Sequence, residues 1–591
     1  MSKNDRGAAA RAAFNKGEAD RKADNAAAAR EEAEKNRPPV VCLGREGSQY
    51  VLYSTAYRRI ERLTAEKLNL PNLRAIAPRA HWEKWLFPER VAAGDEVKRG
   101  ELVEAIQERI LADCGAKMFD ASCVRGRGVW PDTAGGWVYN AGASCWWIPA
   151  DGGKVEQVDN VRGKHVYSLG DESPFPADTP LSDEEGRHLL ELMRARSWVL
   201  PGAGDVMGGW MVAAMLAGVM PICPHVWVNA PQGSGKSTFR DDLRAVFGTA
   251  KIDPDGGNTT DTGIRQEAAG AALPVVIDEA DGGEDEKMQK NIRRWIELMR
   301  LASYGGKITH GSVDGTPRKY RIKCSFALFS VGNSIERGSD SSRCLVLDLV
   351  KYQDNARGKD ARKAMWSRQD VGRALVQSDG FHGRFVARIL SLLPVIMGNV
   401  SALRDFLCKV EGVDARRAEL FSVLLACRHA LVSREKMSIE AMQEAAGVML
   451  AYGEQEDEES DFSRCLAVLL GYSLDVYGAG KMSVAEACRM LNSCMDAERR
   501  DAIVRALNLA GLRWRDDLNA LQVDTLADKM KRIYTGTQWS NGKVAPVLAE
   551  GCKREKGSIS PAGVWLQSVK VGGMSPRWCV MIPAALVLGD E

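Results

Sequence analysis

The sequence is poor in the residues that form metal sites and disulfide frameworks. It contains 14 cysteines and 7 histidines in 591 residues. No two cysteines form a C-x-x-C pair, and the histidines are scattered along the chain. This pattern predicts no structural zinc and no disulfide framework, and it indicates the reduced thiols of a cytoplasmic protein.

A charge excess of either sign is also missing. Lys and Arg number 80 and Asp and Glu 78, so the net charge is +2, and 45% of the residues are hydrophobic. This composition excludes a mostly disordered or uniformly basic chain and is typical of globular proteins. A nucleic-acid partner stays open, because binding depends on where the positive charge is concentrated.

Long hydrophobic runs are scarce. The longest stretch without Asp, Glu, Lys or Arg begins at Val206, and its most apolar part ends at Cys223. This part contains three glycines and a proline and is not long for a membrane span, so we predict a buried helix and no membrane partner. The first 39 residues lack the apolar segment of a secretory signal.

The length predicts several domains, at roughly 150 residues per domain. Ser182 and Glu185 form a capping-box pattern, which indicates that a helix begins a new domain there. A helix-like stretch from Thr525 to Tyr534, followed by strands near 564–569 and 578–582, is compatible with a winged helix. The predicted divisions are a mobile Ala- and charge-rich arm (1–39), an α+β domain (40–180), a core domain (181–355), a helical lid or bundle (356–455) and a helical region with the winged helix (456–591).

A glycine-rich loop between a strand and a helix is the most informative motif. Strand 226–229 precedes the loop, and a helix follows it as far as Gly248. Glycines let backbone N–H groups face phosphate oxygens, Lys236 reaches the β- and γ-phosphates, and Ser237 ligates Mg²⁺. Ala230 stands where the strict pattern has glycine. The predicted nucleotide-binding residues are Ala230, Pro231, Gln232, Gly233, Ser234, Gly235, Lys236, Ser237 and Thr238.

Paired carboxylates follow a second apolar strand, 273–277. Asp278 is predicted to hold Mg²⁺, and Glu279 to polarise the attacking water. Because these acids follow the phosphate loop by some forty residues, the two motifs together predict that the chain binds and hydrolyses Mg-ATP.

Two further strands complete the pattern. Strand 326–331 is followed by Asn333, whose amide is predicted to orient the lytic water. Arg343 precedes strand 344–349 and is predicted to be a finger that acts on the nucleotide of a neighbouring subunit. Arg337 is the second candidate for the finger, and a surface arginine that caps a strand is the alternative interpretation of Arg343.

These motifs in this order resemble the AAA+ ATPases. Over roughly residues 180 to 355 the details are most similar to the superfamily 3 and poxvirus-type helicases of viruses, phages and mobile elements. The resemblance implies an α/β core of three layers with a P-loop and a mostly parallel sheet. It also implies a homo-oligomeric ring, expected to be a hexamer, that hydrolyses ATP at subunit interfaces and acts as a replicative DNA helicase in a bacterial cytoplasm.

A basic segment, 305–323, lies between the second and third strands. Asp314-Gly315 is a hairpin-turn signal, and five basic residues against one acidic residue give the segment a net charge of +4. In superfamily 3 helicases a hairpin at this place grips single-stranded DNA. The resemblance therefore implies that single-stranded or forked DNA is the partner; a solvated basic hairpin is the alternative. The candidate phosphate contacts are Lys307, His310, Arg318 and Lys319.

Three other basic segments have a functional and a structural interpretation each. The segment from Arg125 to Trp130 is either a nucleic-acid contact or a turn that docks the tryptophan. Arg384 and Arg388 either reach the nucleotide from a lid or form salt bridges. The segment 553–556 is either a wing that contacts duplex DNA or a solvated loop.

Two rival functions remain. An AAA+ initiator or loader would bind DNA without unwinding it. An ATP-gated sensor or defence scaffold would assemble on nucleotide binding, without nucleic acid as its track. Primase activity in residues 40 to 178 is a further possibility by analogy, although no paired-Asp metal motif supports it.

Overall fold

The chain divides into two compact units, the first ending at Ala446 and the second beginning at Gly447. The domain limits proposed near residues 180 and 355 lie inside the first unit. The computed structural model describes residues 37–231, 233–254, 261–278, 286–310, 318–330, 343–351, 359–457, 461–478, 480–493, 496–524, 527–534, 539, 544–549, 552, 558–560, 562–569 and 576–588.

The N-terminal part of the first unit is built from three small sheets and four helices. Its strands are β1 (Val40–Glu46), β2 (Gln49–Ser54), β3 (Arg59–Thr64), β4 (Val124–Arg125), β5 (Gly128–Pro131), β6 (Trp137–Asn140), β7 (Cys145–Ile148), β8 (Glu156–Val158), β9 (Val161–Arg162) and β10 (His165–Tyr167). Its helices are Leu70–Ile76, Arg79–Leu86, Pro88–Ala93 and Arg99–Gly115. The sheet orders are β1-β2-β3, β4-β10-β9 and β5-β6-β7-β8, so this part has the α+β character that the sequence predicts.

Glycines let the N-terminal part pack closely on the core. The Gly126 N–H donates to the Gly270 carbonyl over 2.7 Å. Gly128, with a φ of 117°, forms a parallel bridge with Ala272. A Cβ atom at Gly128 would overlap the Ala272 carbonyl oxygen. Only glycine fits this contact, because it combines a positive φ with a close backbone approach.

The tryptophan beside these glycines is part of the packing. Trp130 is 3% exposed, and its indole N–H donates to the Gly126 carbonyl over 2.9 Å. The Arg125 guanidinium lies 4.7 Å from the centre of the indole ring. The structure therefore supports a turn that docks Trp130, and not a surface on which Trp130 stacks with a base.

A four-stranded parallel sheet forms the core. Its strands are β11 (His225–Asn229), β12 (Pro274–Ile277), β15 (Ser325–Ser330) and β16 (Cys344–Asp348), in the order β12-β15-β11-β16. The residues of β12 and β15 are all buried, as expected for parallel strands that are covered on both faces. The parallel sheet that the sequence predicts is confirmed.

Helices cover both faces of this sheet. Phe329 of β15 packs edge-on against Phe239 of the helix Lys236–Phe247, with ring centroids 5.7 Å apart. Phe326, three residues earlier on the same strand, packs against His225, which is bonded to the helix Glu286–Ser303. Side chains three positions apart on a strand point to opposite faces. The core therefore has three layers, with the sheet in the middle.

The remaining helices of the first unit pack around this core. Helix Ala203–Met215 overlaps the apolar segment discussed above, and its residues from Val206 onward are buried as predicted. Ser182 caps helix Asp183–Arg194 and forms the predicted capping box with Glu185. The other helices are Asp261–Glu267, Lys359–Val376, Phe381–Ser391, Leu393–Lys409 and Ala415–Val432, and the helix Ile439–Asp457 contains the boundary between the two units.

In the described parts of the chain, no single helix is both long enough and apolar enough to cross a membrane. One pair, Phe381–Ser391 with Leu393–Lys409, meets the length and composition criteria jointly, and the two helices are bent by 53°.

The second unit has its own apolar core and a four-stranded sheet of order β19-β20-β22-β21. Its strands are β17 (Ser473–Val476), β18 (Gly480–Ser483), β19 (Leu512–Arg515), β20 (Ala520–Val523), β21 (Trp565–Val569) and β22 (Arg577–Pro583). Its helices are Asp461–Gly471, Val484–Leu491, Ala497–Ala510, Ala527–Ile533, Ala545–Leu548 and Ala584–Leu588. The two predicted C-terminal strands are present as β21 and β22. The sequence analysis did not anticipate β17 to β20.

Candidate functional site

The glycine-rich loop leaves the sheet at the carboxyl end of its second-last strand, β11. The Ala230 N–H donates to the Ser330 carbonyl over 2.9 Å, so the loop starts beside the end of β15. In the sheet, β15 lies on one side of β11 and β16 on the other, and both strands follow β11 in the chain. The strand order therefore reverses at β11. In open α/β sheets, ligands bind at such a reversal of strand order, outside the carboxyl ends of the strands.

The loop backbone has the conformation that the glycine pattern predicts. Gly233 and Gly235 both have a φ of 85°, a left-handed conformation that favours glycine. The helix begins at Lys236, with Ser237 and Thr238 in its first turn, and Gly235 provides no side-chain cap. The first N–H groups of this helix have no acceptor within the helix and carry its positive dipole end, so an anion is favoured there. Gln232 lies outside the described residues.

Asp278 is the first residue after β12 and lies near the loop. The register pairs Ile277 with Leu328 and Leu328 with Trp227. Asp278 is therefore level with Val228, two strands away, about 10 Å across the sheet. Its side chain is 15% exposed. Its Oδ1 atom is buried and has no hydrogen-bond partner among the described residues.

An arginine that the sequence analysis did not identify binds the other oxygen of Asp278. Arg240 stands one helical turn after Lys236, and its NH1 group donates to Asp278 Oδ2. The Nε and NH2 groups of Arg240 donate to Asp241 Oδ1 over 2.9 and 2.8 Å. The spacing from Lys236 is the signal that was available. A spacing of four residues places Arg240 on the same face of the helix as Lys236. It does not show which strand lies opposite that face.

A second pair of polar residues lies at the same carboxyl edge of the sheet. Asn229, the last residue of β11, donates from Nδ2 to Asp348 Oδ1 over 2.7 Å. Its own Oδ1 atom is buried without a hydrogen-bond partner in the described part of the chain. Buried polar atoms are almost always bonded. Two unpartnered carbonyl or carboxylate oxygens at one edge therefore mark a place where a ligand can supply the missing contacts.

The donor set fits a divalent cation with a phosphate ligand. Mg²⁺ takes oxygen ligands, commonly one or two carboxylates together with substrate phosphates. Asp278 offers the unpartnered Oδ1, and Ser237 is at the start of the helix whose N–H groups face the same edge. The predicted metal ligands, Ser237 and Asp278, are thus found on adjacent elements.

Arg343 lies at the opposite end of the sheet from the loop. Its carbonyl accepts a hydrogen bond from the His225 N–H, and Cys344 pairs with His225 at the start of β11. The five residues of β11 separate this point from the loop by roughly 15 Å. The Arg343 guanidinium lies 6.0 Å from the centre of the Tyr304 ring. Within one subunit, Arg343 therefore belongs to the edge of the sheet remote from the loop.

The predicted basic hairpin is present as two antiparallel strands, β13 (Lys307–His310) and β14 (Arg318–Arg321). Lys307 pairs with Arg321 and His310 with Arg318. Strand alternation places positions 307 and 319 on one face of the ladder, and positions 310 and 318 on the other. The candidate contacts are thus divided between two faces.

The base of the hairpin is anchored to the core. The Gly270 N–H donates to the Arg321 carbonyl over 3.1 Å. Lys323 donates from Nζ to the Gly218 carbonyl over 3.3 Å. Burial, together with the nearby charges of Arg125 and Arg321, lowers the pKa of Lys323. The hairpin therefore rises from a base that hydrogen bonds of Arg321 and Lys323 attach to the core.

Besides Gln232, three further predicted site residues, Glu279, Asn333 and Arg337, lie outside the described residues, as does the basic segment 553–556. Their roles stay predictions.

The interpretation of Arg388 as a lid arginine is wrong. Arg388 is 1% exposed, and it donates to the carbonyls of Ala430 and Leu181 and to Asp183, each over 2.8 Å. Arg384 donates to Glu185 over 2.6 Å. Both arginines hold the capped helix Asp183–Arg194 against the helix Phe381–Ser391, which is the salt-bridge interpretation.

Comparisons with known proteins give only distant structural likenesses. No family model matches the chain, and no curated protein matches it. One similar solved structure is described as "SCCmec type IV Cch - active helicase", with 12% identity over 93% of this chain and 95% of that one and a TM-score of 0.45. Another is the apo structure of the NrS-1 C terminal region, with 9% identity over 92% and 96% and a TM-score of 0.32. The site described above stands on the geometry of this chain alone.

Proposed function

We propose that the chain is a P-loop ATPase of the AAA+ class that couples hydrolysis of Mg-ATP to movement along DNA. The observation that supports this most directly is the carboxyl edge of the parallel sheet. There, a loop with two left-handed glycines and a helix N-terminus lies beside Asp278, whose Oδ1 atom is buried and unpartnered.

Each residue at this edge has a separate role in the proposed phosphoryl transfer. The N–H groups of the loop and the first helical turn bind phosphate oxygens, and Lys236 adds a positive charge. Ser237 and Asp278 would hold Mg²⁺, which when bound neutralises charge on the β- and γ-phosphates. Glu279, which directly follows Asp278, is proposed to polarise the attacking water, and Asn333 to orient it.

Arg343 is proposed to act on the nucleotide of the next subunit in a ring. In its own subunit it lies at the far end of β11 from the loop, so a role in the same chain does not fit. A neighbouring subunit packed against that edge would receive the guanidinium next to its own γ-phosphate, where positive charge stabilises the transition state. This arrangement requires a ring, and we propose a hexamer.

The substrate track is proposed to be single-stranded or forked DNA, gripped by the hairpin β13–β14. A double variant Lys307→Ala/Lys319→Ala removes positive charge from one face of the ladder, and His310→Ala/Arg318→Ala removes it from the other. Each lost phosphate contact is expected to reduce the salt dependence of single-strand binding by about 0.7 in slope. The face whose variant changes this slope is the face that binds DNA.

Unwinding of a forked DNA substrate with ATP tests the whole proposal. The Lys236→Ala protein is expected to lose ATP turnover and unwinding together. Lys363→Ala is the matched control, because Lys363 is exposed on the helix Lys359–Val376. If Lys236→Ala hydrolyses ATP at the rate of the control, the assignment of the nucleotide site is wrong.

Mixing Lys236→Ala with Arg343→Ala chains tests whether Arg343 acts across subunits. The mixture should recover part of the turnover, since each chain supplies what the other lacks. No recovery would contradict the action across subunits.

A replication initiator or loader is the second candidate, and the second unit favours it. Helices Val484–Leu491 and Ala497–Ala510 are followed directly by the antiparallel hairpin β19–β20, an order that suits a winged helix. Arg499 and Arg505 are exposed on the longer helix. If Arg499→Ala/Arg505→Ala abolishes duplex binding, and the intact protein hydrolyses ATP without unwinding the fork, the loader is the better description. ATP turnover that ignores DNA would instead indicate the sensor or scaffold.

A further inference from the structure

We propose that Arg240 is a positioning residue for magnesium, which acts by holding Asp278 in the orientation that leaves one carboxylate oxygen free for the ion. This inference rests on the proposed function, because it concerns the same site. The sequence motifs do not include Arg240, and its role follows from the contacts of its guanidinium.

The guanidinium of Arg240 is shared between two carboxylates. Asp241 Oδ1 accepts from both Nε and NH2, which fixes the plane of the group. The remaining nitrogen, NH1, donates to Asp278 Oδ2. A guanidinium that used both terminal nitrogens on Asp278 would occupy both of its oxygens. Here Asp241 takes that second nitrogen, and Asp278 Oδ1 stays available.

The charges support the same role. Asp278 is only 15% exposed, and a buried carboxylate needs a nearby positive charge or hydrogen bonds. Arg240 provides both before any metal binds. Residues that orient metal ligands in this way are a regular part of metal sites, and their loss weakens metal binding.

The ion pair is not needed to hold the helix in place. Asp242, on the same helix, accepts from Arg373 through both carboxylate oxygens, over 2.9 and 3.0 Å, and also from Arg196. Arg244, one turn after Arg240, pairs with Asp253 over 2.6 Å. Because these contacts already attach the helix to its neighbours, removal of Arg240 is expected to change the metal site rather than the fold.

Magnesium titrations of nucleotide binding test this inference without relying on turnover. A fluorescent ATP analogue is bound to the full-length protein, first in EDTA and then at increasing Mg²⁺. In Arg240→Ala, the Mg²⁺ concentration at half-effect is expected to rise about 10-fold to 100-fold. Nucleotide binding in EDTA is expected to stay unchanged. Arg368→Ala is the matched control, because it breaks an ion pair with Glu191 in which neither Asp241 nor Asp278 takes part, and it should titrate like the wild type.

Arg240→Lys keeps the charge but presents one ammonium group instead of the planar fork. It is expected to recover only part of the Mg²⁺ affinity, whereas a purely electrostatic role would give full recovery. This variant also keeps the test decisive if Arg240→Ala folds poorly, which a thermal melt would show.

The outcomes separate the inference from the function on which it rests. An unchanged or lowered Mg²⁺ requirement in both Arg240 variants overturns the positioning role and leaves the nucleotide site intact. A wild-type protein whose nucleotide binding does not respond to Mg²⁺ overturns the proposed function itself. A raised requirement in Arg240→Ala, with normal titration of Arg368→Ala, supports both.

Discussion

Buried polar residues at the two ends of the parallel sheet differ in how many of their hydrogen-bonding atoms have partners. At the amino end, the buried imidazole of His225 uses both nitrogens. Its Nε2–H donates to the Met299 carbonyl over 2.8 Å, and Nδ1 accepts from the Phe326 N–H over 3.1 Å. At the carboxyl end, Asp278 and Asn229 each keep a buried oxygen without a partner.

This difference separates stability from binding. A buried group whose hydrogen bonds are all made stabilises the fold, and removal of it leaves its partners unsatisfied. A buried group with a free acceptor costs stability unless a ligand completes it. His225 at the amino end therefore has the properties of a structural residue, and Asp278 and Asn229 at the carboxyl end have those of a site. The predictions below test whether this separation holds.

The largest effect is expected at the carboxyl end. Asp278→Asn removes the negative charge with little change in shape, and it should reduce ATP turnover about 100-fold or more, as for loss of a preorganised electrostatic group. The melting temperature should change little, because the free oxygen does not stabilise the fold and Arg240 keeps its hydrogen bonds to Asp241. Phosphate release and thermal melts measure the two quantities. A variant that melts much earlier than the wild type would show that Asp278 is structural.

The next effect is expected at the amino end. His225→Ala removes the imidazole and leaves the Phe326 N–H without its acceptor, while the Met299 carbonyl keeps only its hydrogen bonds from within its own helix, including that of the Ser303 hydroxyl. The cost should be about 2–4 kcal/mol in the free energy of unfolding, measured by urea denaturation. ATP turnover per folded molecule should stay close to that of the wild type. Loss of turnover without loss of stability would contradict the separation of roles.

The smallest effect is a dependence on pH at the same residue. Burial lowers the pKa of His225 to about 3, from an ordinary value of 6.5. Between these values the unfolded chain binds a proton that the folded chain excludes. The stability due to His225 is therefore complete above about pH 6.5 and falls as the pH decreases toward 3.

Between pH 6.5 and pH 5 the loss from this source should be about 1–2 kcal/mol. Urea denaturation at both values measures it, and His225→Ala serves as the control, since it retains every other titrating group. An equal pH dependence in the two proteins would exclude His225 as the cause.

Much of the core was predictable because local patterns determine it. The strands of the parallel sheet are short apolar runs, which is what burial on both faces requires. The capping box of Ser182 and Glu185 and the glycines of the loop depend on neighbouring residues only, and each is present as predicted. For the same reason the aromatic runs Trp137–Asn140 and Cys145–Ile148 form an antiparallel hairpin.

The rest depends on strand order and on packing between distant segments. Arg240 meets Asp278 because β12 lies near the helix that follows β11, and no pattern within either segment shows this. The burial of Trp130 likewise depends on Ala272, which is far along the chain. In the second unit, β20 pairs with β22 across a long separation, so a four-stranded sheet replaced the two-stranded one that local patterns indicated.

The contact of Gly128 with Ala272 has a consequence for how the chain can be divided. Ala272 leads directly into β12, and Asp278 follows six residues later in an extended segment of about 20 Å. The N-terminal part is thus attached to the strand that presents the proposed magnesium ligand. A shortened protein that started at the core domain would lack the N-terminal residues that pair with the beginning of that strand. The backbone hydrogen bonds made there would be lost. Any shift of β12 during a catalytic cycle would therefore also move the N-terminal part, because the two are joined by these contacts.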